Sequence, residues 1–138
     1  MAKTVETWRG VAYPWNCDSM GHFNTQFYVA AFDGATVHFL HMLSPMKALE
    51  AQGLGWADVR QNIEYKHEIQ AGTPLYVRTA PVRLGNKSIE FLHELLSAGD
   101  DVLRASAAMT TAFFDLKARK ALPIPDAVRA KAQAMLDA

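Results

Sequence analysis

Phe27, Tyr28, Ala31, Phe32, Ala35, Phe39, Leu40 and Leu43 recur at close to the 3.6-residue spacing of one helix face, behind Asn24 and Thr25 as candidate N-caps. Val29, Ala30, Val37 and Met42 fall on the remaining faces, so the helix is apolar nearly all round, the pattern of a buried helix. A chain built on such a helix must wrap something around it. Asp33, His38 and His41 interrupt the run, which is also short for a membrane span.

The wrapping comes from strands. Thr7 to Trp15 reads as a strand ending at Pro14, followed by the turn-rich loop Asn16 to Gly21. Ser44-Pro45 stops the main helix, and the stretch through Gly53 and Gly55 has room for a short second helix. Beyond Trp56, strands are expected over Val59–Ile69, Leu75–Leu84, Ser88–Leu96 and Asp101–Asp115, separated by the turn residues of Ala71–Pro74, Gly85–Lys87 and Gly99-Asp100. Such short connections imply an antiparallel meander. Ile89, Phe91, His93 and Leu95 share one strand face, and Pro81 places its own strand at an edge or a bulge. Pro123-Ile124-Pro125 leads into a terminal helix, Asp126–Leu136, with Asp126 suited to its N-terminal dipole. The class is therefore α+β, a curved antiparallel sheet around one long central helix, with a single domain expected over residues 1–138.

Charge narrows the function. Lys plus Arg and Asp plus Glu number 14 each, so no global field draws in nucleic acid or an anionic membrane, and neither partner is expected. Cys17 is the only cysteine, which excludes an intrachain disulfide and a cysteine-rich zinc site. The N-terminus lacks the apolar core of a secretory signal, and a soluble, cytoplasmic protein is expected.

The segment Asp18-Ser19-Met20-Gly21-His22-Phe23-Asn24, just before the central helix, resembles that of the 4-hydroxybenzoyl-CoA thioesterase-like branch of the hotdog superfamily. So does Tyr65-Lys66-His67-Glu68-Ile69-Gln70-Ala71-Gly72-Thr73-Pro74-Leu75-Tyr76-Val77, followed in order by the Gly85–Ser88 hairpin. The likeness covers nearly the whole chain. It implies a hotdog fold, acyl-CoA hydrolysis to free acid and CoA without metal or cofactor, and a homodimer or homotetramer with sites between subunits. Asn16, where many relatives have a second acid, and Thr25, where they often repeat Asn, depart from the pattern.

Thioester hydrolysis needs a nucleophile or base at the carbonyl carbon and donors for the oxyanion. Asp18 supplies the carboxylate, as nucleophile or as general base, and a loop just ahead of a helix sets it beside unpaired N–H groups of the first turn. By the resemblance the oxyanion donor is the backbone N–H seven residues after the motif's Asp, here Thr25. Gly21 lets the loop pass close to substrate. His22 is a candidate to orient the substrate or polarise its carbonyl, equally suited to holding the turn, and Asn24 is read as a cap that can also touch the acyl group. Glu64 is the second candidate catalytic carboxylate, from a strand where other hotdog branches place one.

Phe23, Phe27, Tyr28 and Trp56 are candidates to line an acyl pocket, and Arg83, Lys87 and Ser88 to take the nucleotide end of CoA. Asp33, inside a buried helix, requires a partner. Cys17 is discounted as a nucleophile, and His38 and His41 are assigned to packing or capping rather than metal. The rival functions are a hotdog dehydratase or hydratase, which needs a paired His and acid, and a non-catalytic acyl-CoA or small-ligand binding protein, which has no use for Asp18.

Overall fold

The computed structural model describes residues 2–138. Strand β1 (Val5–Val11) is followed by a single 3-10 turn, Pro14–Asn16, then by helices α1 (Thr25–Leu43) and α2 (Met46–Ala51). Strands β2 (Leu54–Tyr65), β3 (Pro74–Leu84), β4 (Ser88–Ser97) and β5 (Leu103–Asp115) come next, then the two-residue β6 (Lys120–Ala121) and helix α3 (Asp126–Asp137). The sheet order is β1-β3-β4-β5-β2, every neighbour antiparallel, with β6 added to β5.

Both ends of α1 follow from local chemistry. The Asn24 side-chain oxygen accepts the Gln26 N–H at 3.1 Å and caps the start. At the other end Ser44 still donates to Leu40 O at 3.0 Å, but Pro45 forces Ser44 into an extended conformation (φ −161°, ψ 129°) and the helix stops. Tyr28, Ala31, Phe32, Ala35, Thr36, Phe39, Leu40 and Leu43 form its buried face. They meet sheet residues at alternate positions: Leu75, Val77 and Thr79 on β3, Ile89, Phe91, His93 and Leu95 on β4, and Ala105, Ala107 and Met109 on β5. Phe39 packs on Phe91 with ring centroids 4.9 Å apart.

The core holds one polar chain. His93, fully buried, contacts Thr36 Oγ1 through Nε2 at 2.8 Å and Thr79 Oγ1 through Nδ1 at 2.6 Å, and Thr79 continues to Thr7 Oγ1 at 2.8 Å. Stacking on Phe32 and an edge contact with Phe91 enclose the ring. Burial drives the His93 pKa down to about 3, so the imidazole is neutral at physiological pH.

Several expectations change. The far face of α1 is not covered: Val29 and Val37 are 41% and 46% exposed and Ala30 and Met42 are exposed too, because the sheet curls around only one side of the helix. Asp33 lies on that open side and is solvated, so it needs no buried partner. The first strand ends at Val11, not Trp15, since Pro14 begins a 3-10 turn. Strand β2 starts at Leu54 and ends at Tyr65, ahead of the expected window, because Lys66 N and His67 N turn to share the Arg104 carbonyl. Trp56, half-buried, packs edge-on against Phe113 at 5.1 Å at the margin of the core. The β3–β4 register slips between Pro81 and Arg83, and β1 pairs only as far as Thr79, so the proline sits at a bulge beyond its neighbour's reach.

Candidate active site

The loop ahead of α1 closes on itself. Cys17 and Phe23 form an isolated antiparallel bridge, Asp18 N donates to His22 O at 2.9 Å, and Gly21 N donates to Asp18 O at 3.0 Å. Gly21 adopts φ +78°, a conformation that side-chain-bearing residues rarely take. The Asp18 carboxylate is part of this closure: Oδ1 accepts the Met20 N–H at 2.9 Å and the His22 N–H at 3.2 Å. Oδ2 has no hydrogen-bond partner among the described residues, and the side chain stands in solvent.

This loop is stitched to the second motif. Phe23 N donates to Ile69 O at 2.8 Å and His22 bridges Gln70, while Ala12 and the Gly72-Thr73 turn exchange bonds of 2.7 and 2.9 Å. Two motifs roughly fifty residues apart thus become one surface. Asn16 serves the same frame: its carbonyl accepts the Asn24 N–H at 2.8 Å and its Oδ1 the Tyr13 N–H at 3.1 Å.

The first N–H groups of a helix have no intrahelical acceptor. Asn24 satisfies Gln26 through its side chain and Phe27 through its carbonyl, and the Thr25 N–H is left without an acceptor among the described residues. Thr25 lines a cleft of about 210 Å³ together with His22, Phe23 and Tyr28, faced by Tyr65, Lys66, His67 and Glu68. Across it, the Tyr28 and Tyr65 rings meet edge to face at 5.0 Å. Burial, then the neighbouring Tyr65, raises the Tyr28 phenol pKa, so it stays protonated as a donor.

His22 Nε2 lies 3.1 Å from Glu68 Oε2, so the carboxylate accepts the Nε2–H and fixes the orientation of the ring. Arg104 fixes the segment behind Glu68 through a 2.7 Å bond from Nη1 to its carbonyl. Glu68 is the partner that sequence reasoning passed over in favour of Glu64. The signal was its place inside the second motif, but its turn toward His22 depends on β2 ending at Tyr65.

The other candidates lie elsewhere. Glu64 sits on exposed β2 opposite Ser106, 3.5 Å from Lys66 Nζ, outside the cleft lining. Arg83 pairs with Glu90 at 3.1 Å, and with Lys87 and Ser88 it occupies the far end of β3 from the Gly72 turn, a strand length of ~33 Å away. Within one chain they do not reach Asp18. Phe27 and Phe23 adjoin at the base of α1, with centroids 6.1 Å apart. Among the described residues no group of His, Cys, Asp and Glu is placed to hold a metal ion; His38 Nδ1 contacts Thr7 O at 3.0 Å and His41 Nδ1 accepts the Met46 N–H at 3.3 Å.

A curled antiparallel sheet around one long helix is a hotdog fold. The profile of the thioesterase-like superfamily matches residues 13–132, and the chain belongs to that family. A search of the curated proteins found no match. Among solved structures, a Staphylococcus aureus protein in complex with CoA superposes with a TM-score of 0.85 at 14% identity, covering 99% of this chain and 86% of that one. A gentisyl-coenzyme A thioesterase gives 0.78 at 22% identity, covering 94% and 99%. A 1,4-dihydroxy-2-naphthoyl-CoA thioesterase from Synechocystis gives 0.80 at 17% identity, covering 94% and 96%. At these identities the superpositions speak for the fold. No helix among the described residues is long and apolar enough to cross a membrane.

Proposed function

We propose that the chain hydrolyses acyl-CoA thioesters at the cleft between the Asp18 loop and Tyr65–Glu68, as one catalytic domain. The observation that carries this reading is the unpaired Thr25 N–H facing the cleft at the start of α1, with the solvated Asp18 carboxylate on the closed loop that leads into that helix. The Thr25 N–H donates to the oxyanion as the carbonyl carbon becomes tetrahedral, aided by the positive end of the helix dipole. Oδ1 of Asp18 is committed to two backbone N–H groups, so Oδ2 is the working atom. By the nucleophilic route it bonds to the carbonyl carbon, the C–S bond breaks, and water then cleaves the mixed anhydride. By the general-base route Oδ2 takes a proton from water as that water attacks. Both routes yield the free acid and CoA thiol, the thiolate taking up a proton. His22, held by Glu68, orients the thioester from the cleft wall, and Gly21 keeps the loop's outer surface clear of a side chain.

The bound CoA of the S. aureus protein, and the CoA thioesters for which two other neighbours are named, favour CoA as the thiol carrier. The chain acts as a homodimer in this reading. Strand β2 is a sheet edge of 12 residues with Val59 62% exposed, flanked by the uncovered apolar face of α1, and an edge of that length calls for a partner strand. Antiparallel pairing of β2 with its copy lays the partner's Leu54 end beside this chain's Tyr65. The Gly85–Ser88 hairpin belongs to the Leu54 end, through the pairings of Leu54 with Asp115 and Ser88 with Ala112. A second copy therefore brings its own Arg83, Lys87 and Ser88 to the cleft end of this chain, where CoA phosphates need cations.

The test is free-thiol release from short, long, branched and aromatic acyl-CoAs by wild type and Asp18→Asn, with circular dichroism confirming the fold of both. Turnover that collapses in Asp18→Asn supports the reading. Undiminished turnover in the variant moves the chemistry away from Asp18, and no turnover by wild type across the panel, extended to a cationic acyl-CoA, rejects the hydrolase.

A further inference from the structure

A second cleft, of about 290 Å³, opens between β1 and the N-terminal half of α1. Trp8, Tyr13, Trp15, Phe23 and Phe27 form its walls, and no residue lining it carries a charge. Tyr13 and Trp15 stack with centroids 4.5 Å apart and planes 5° from parallel, although they are 44% and 73% exposed. The 3-10 turn begun by Pro14 brings these rings together. On the opposite wall two glycines make room for the Trp8 indole: a Cβ on Gly10 would stand 2.5 Å from a ring carbon, and one on Gly34 would stand 3.2 Å away. Rings that served only to fill a core would be covered, since each exposed Å² of apolar surface forgoes ~25 cal/mol.

We propose that this cleft receives a quaternary ammonium group carried at the end of a short acyl chain. The proposal rests on the hydrolase reading of the Asp18 site and names its substrate class. Aromatic faces carry negative electrostatic potential, indole most strongly, and two of the five rings are indoles. No lysine or arginine in the lining competes for these faces or repels a cation. An ammonium bearing N–H groups would need several acceptors, and of the two side-chain oxygens in the lining Asn16 Oδ1 is already taken by the Tyr13 N–H, leaving the Tyr13 hydroxyl alone. A trimethylated nitrogen has no N–H to leave unpaired, so the ring faces alone can hold it. The exposed Asp18 carboxylate, two residues beyond Asn16, adds attraction at long range.

Chain length follows from the shared wall. Phe23 lines both clefts, so the thioester carbonyl at Thr25 and the cationic head are separated by about one ring. Only a short spacer between carbonyl and nitrogen fits.

The experiment compares trimethylammonioacetyl-CoA with 3,3-dimethylbutanoyl-CoA, an isostere in which carbon replaces the charged nitrogen. Wild type is expected to favour the cationic ester in kcat/KM by roughly tenfold, within the range of cation–π energies. Trp15→Leu should bring that ratio toward unity and Trp15→Phe should keep part of it. Indole fluorescence titrated with tetramethylammonium chloride, against sodium chloride, reads binding without catalysis. A saturable change in wild type that Trp15→Leu abolishes supports the cage. Equal or faster turnover of the neutral ester overturns the substrate class while leaving the hydrolase intact. Absence of any saturable fluorescence change overturns the cage itself. A saturable change with neither ester hydrolysed keeps the cage but overturns the substrate class, and thiol release from the wider acyl-CoA panel then decides the hydrolase reading separately.

Discussion

Thr25→Pro isolates the oxyanion donor from everything else at the site. Thr25 is the first residue of α1, the helical position proline tolerates best, because the N–H it removes has no intrahelical acceptor. Proline also restricts the residue before it to extended conformations, and Asn24 already sits at φ −77°, ψ 144°. The Asn24 cap to Gln26 is untouched, and the exposed Thr25 side chain gives up no core packing. Fold stability should therefore stay within about 1 kcal/mol of wild type. Loss of one oxyanion donor costs ~10²- to 10³-fold in kcat, so turnover of the best acyl-CoA should fall by that factor. Thr25→Ala keeps the N–H and should retain turnover within a few-fold. Steady-state thiol release on all three proteins, beside their thermal melts, reads the effect. A Thr25→Pro enzyme that keeps turnover within tenfold while folded would refute the assignment, and equal loss in Thr25→Ala would shift the role to the hydroxyl.

Other outcomes follow from the same geometry. His93, driven down to about 3 by burial, gains its proton far more readily in the unfolded chain, whose histidine titrates near ~6.5. Its contribution is present above ~6.5 and is lost as pH falls toward 3, about 2 kcal/mol by pH 5, and urea melts of His93→Gln at pH 7 and pH 5 should lack that increment. An equal pH dependence in wild type and variant would remove His93 as its source. Glu68→Gln should lower kcat several-fold by loosening the hold on the His22 ring, whereas a purely structural contact would change only the melt. Asn24→Ala should cost ~1 kcal/mol of stability through loss of the α1 cap, measured by denaturant titration. Val59→Lys should shift sedimentation from dimer to monomer, and a variant that sediments like wild type would argue against β2 as the interface.

Local chemistry made much of this protein legible from its residues. The start of α1 at Thr25 and its stop at Ser44 are written in Asn24 and Pro45, and the β3–β4 hairpin in Gly85-Asn86-Lys87, because caps and turns are decided by neighbours in the chain. The alternation of Ile89, Phe91, His93 and Leu95 likewise named one sheet face, since strand period does not depend on what packs against it. The Asp18 loop stands out only through its resemblance to a known motif, because on local chemistry alone an Asp and a Gly ahead of a capped helix read as an ordinary turn, a use that Asp18 Oδ1 also serves.

Tertiary structure decided what periodicity cannot carry. An apolar helix reads as buried all round, yet which face the sheet covers depends on how far it curls, and Val29 and Val37 remain open to a partner. The choice of Glu68 over Glu64 beside His22 turned on where β2 ends, which the Arg104 carbonyl sets from a strand some forty residues away. The aromatic cleft joins Trp8 on a strand, Tyr13 and Trp15 on a turn and Phe27 on a helix. None of these share a local period, so only the docking of α1 against β1 brings their faces together.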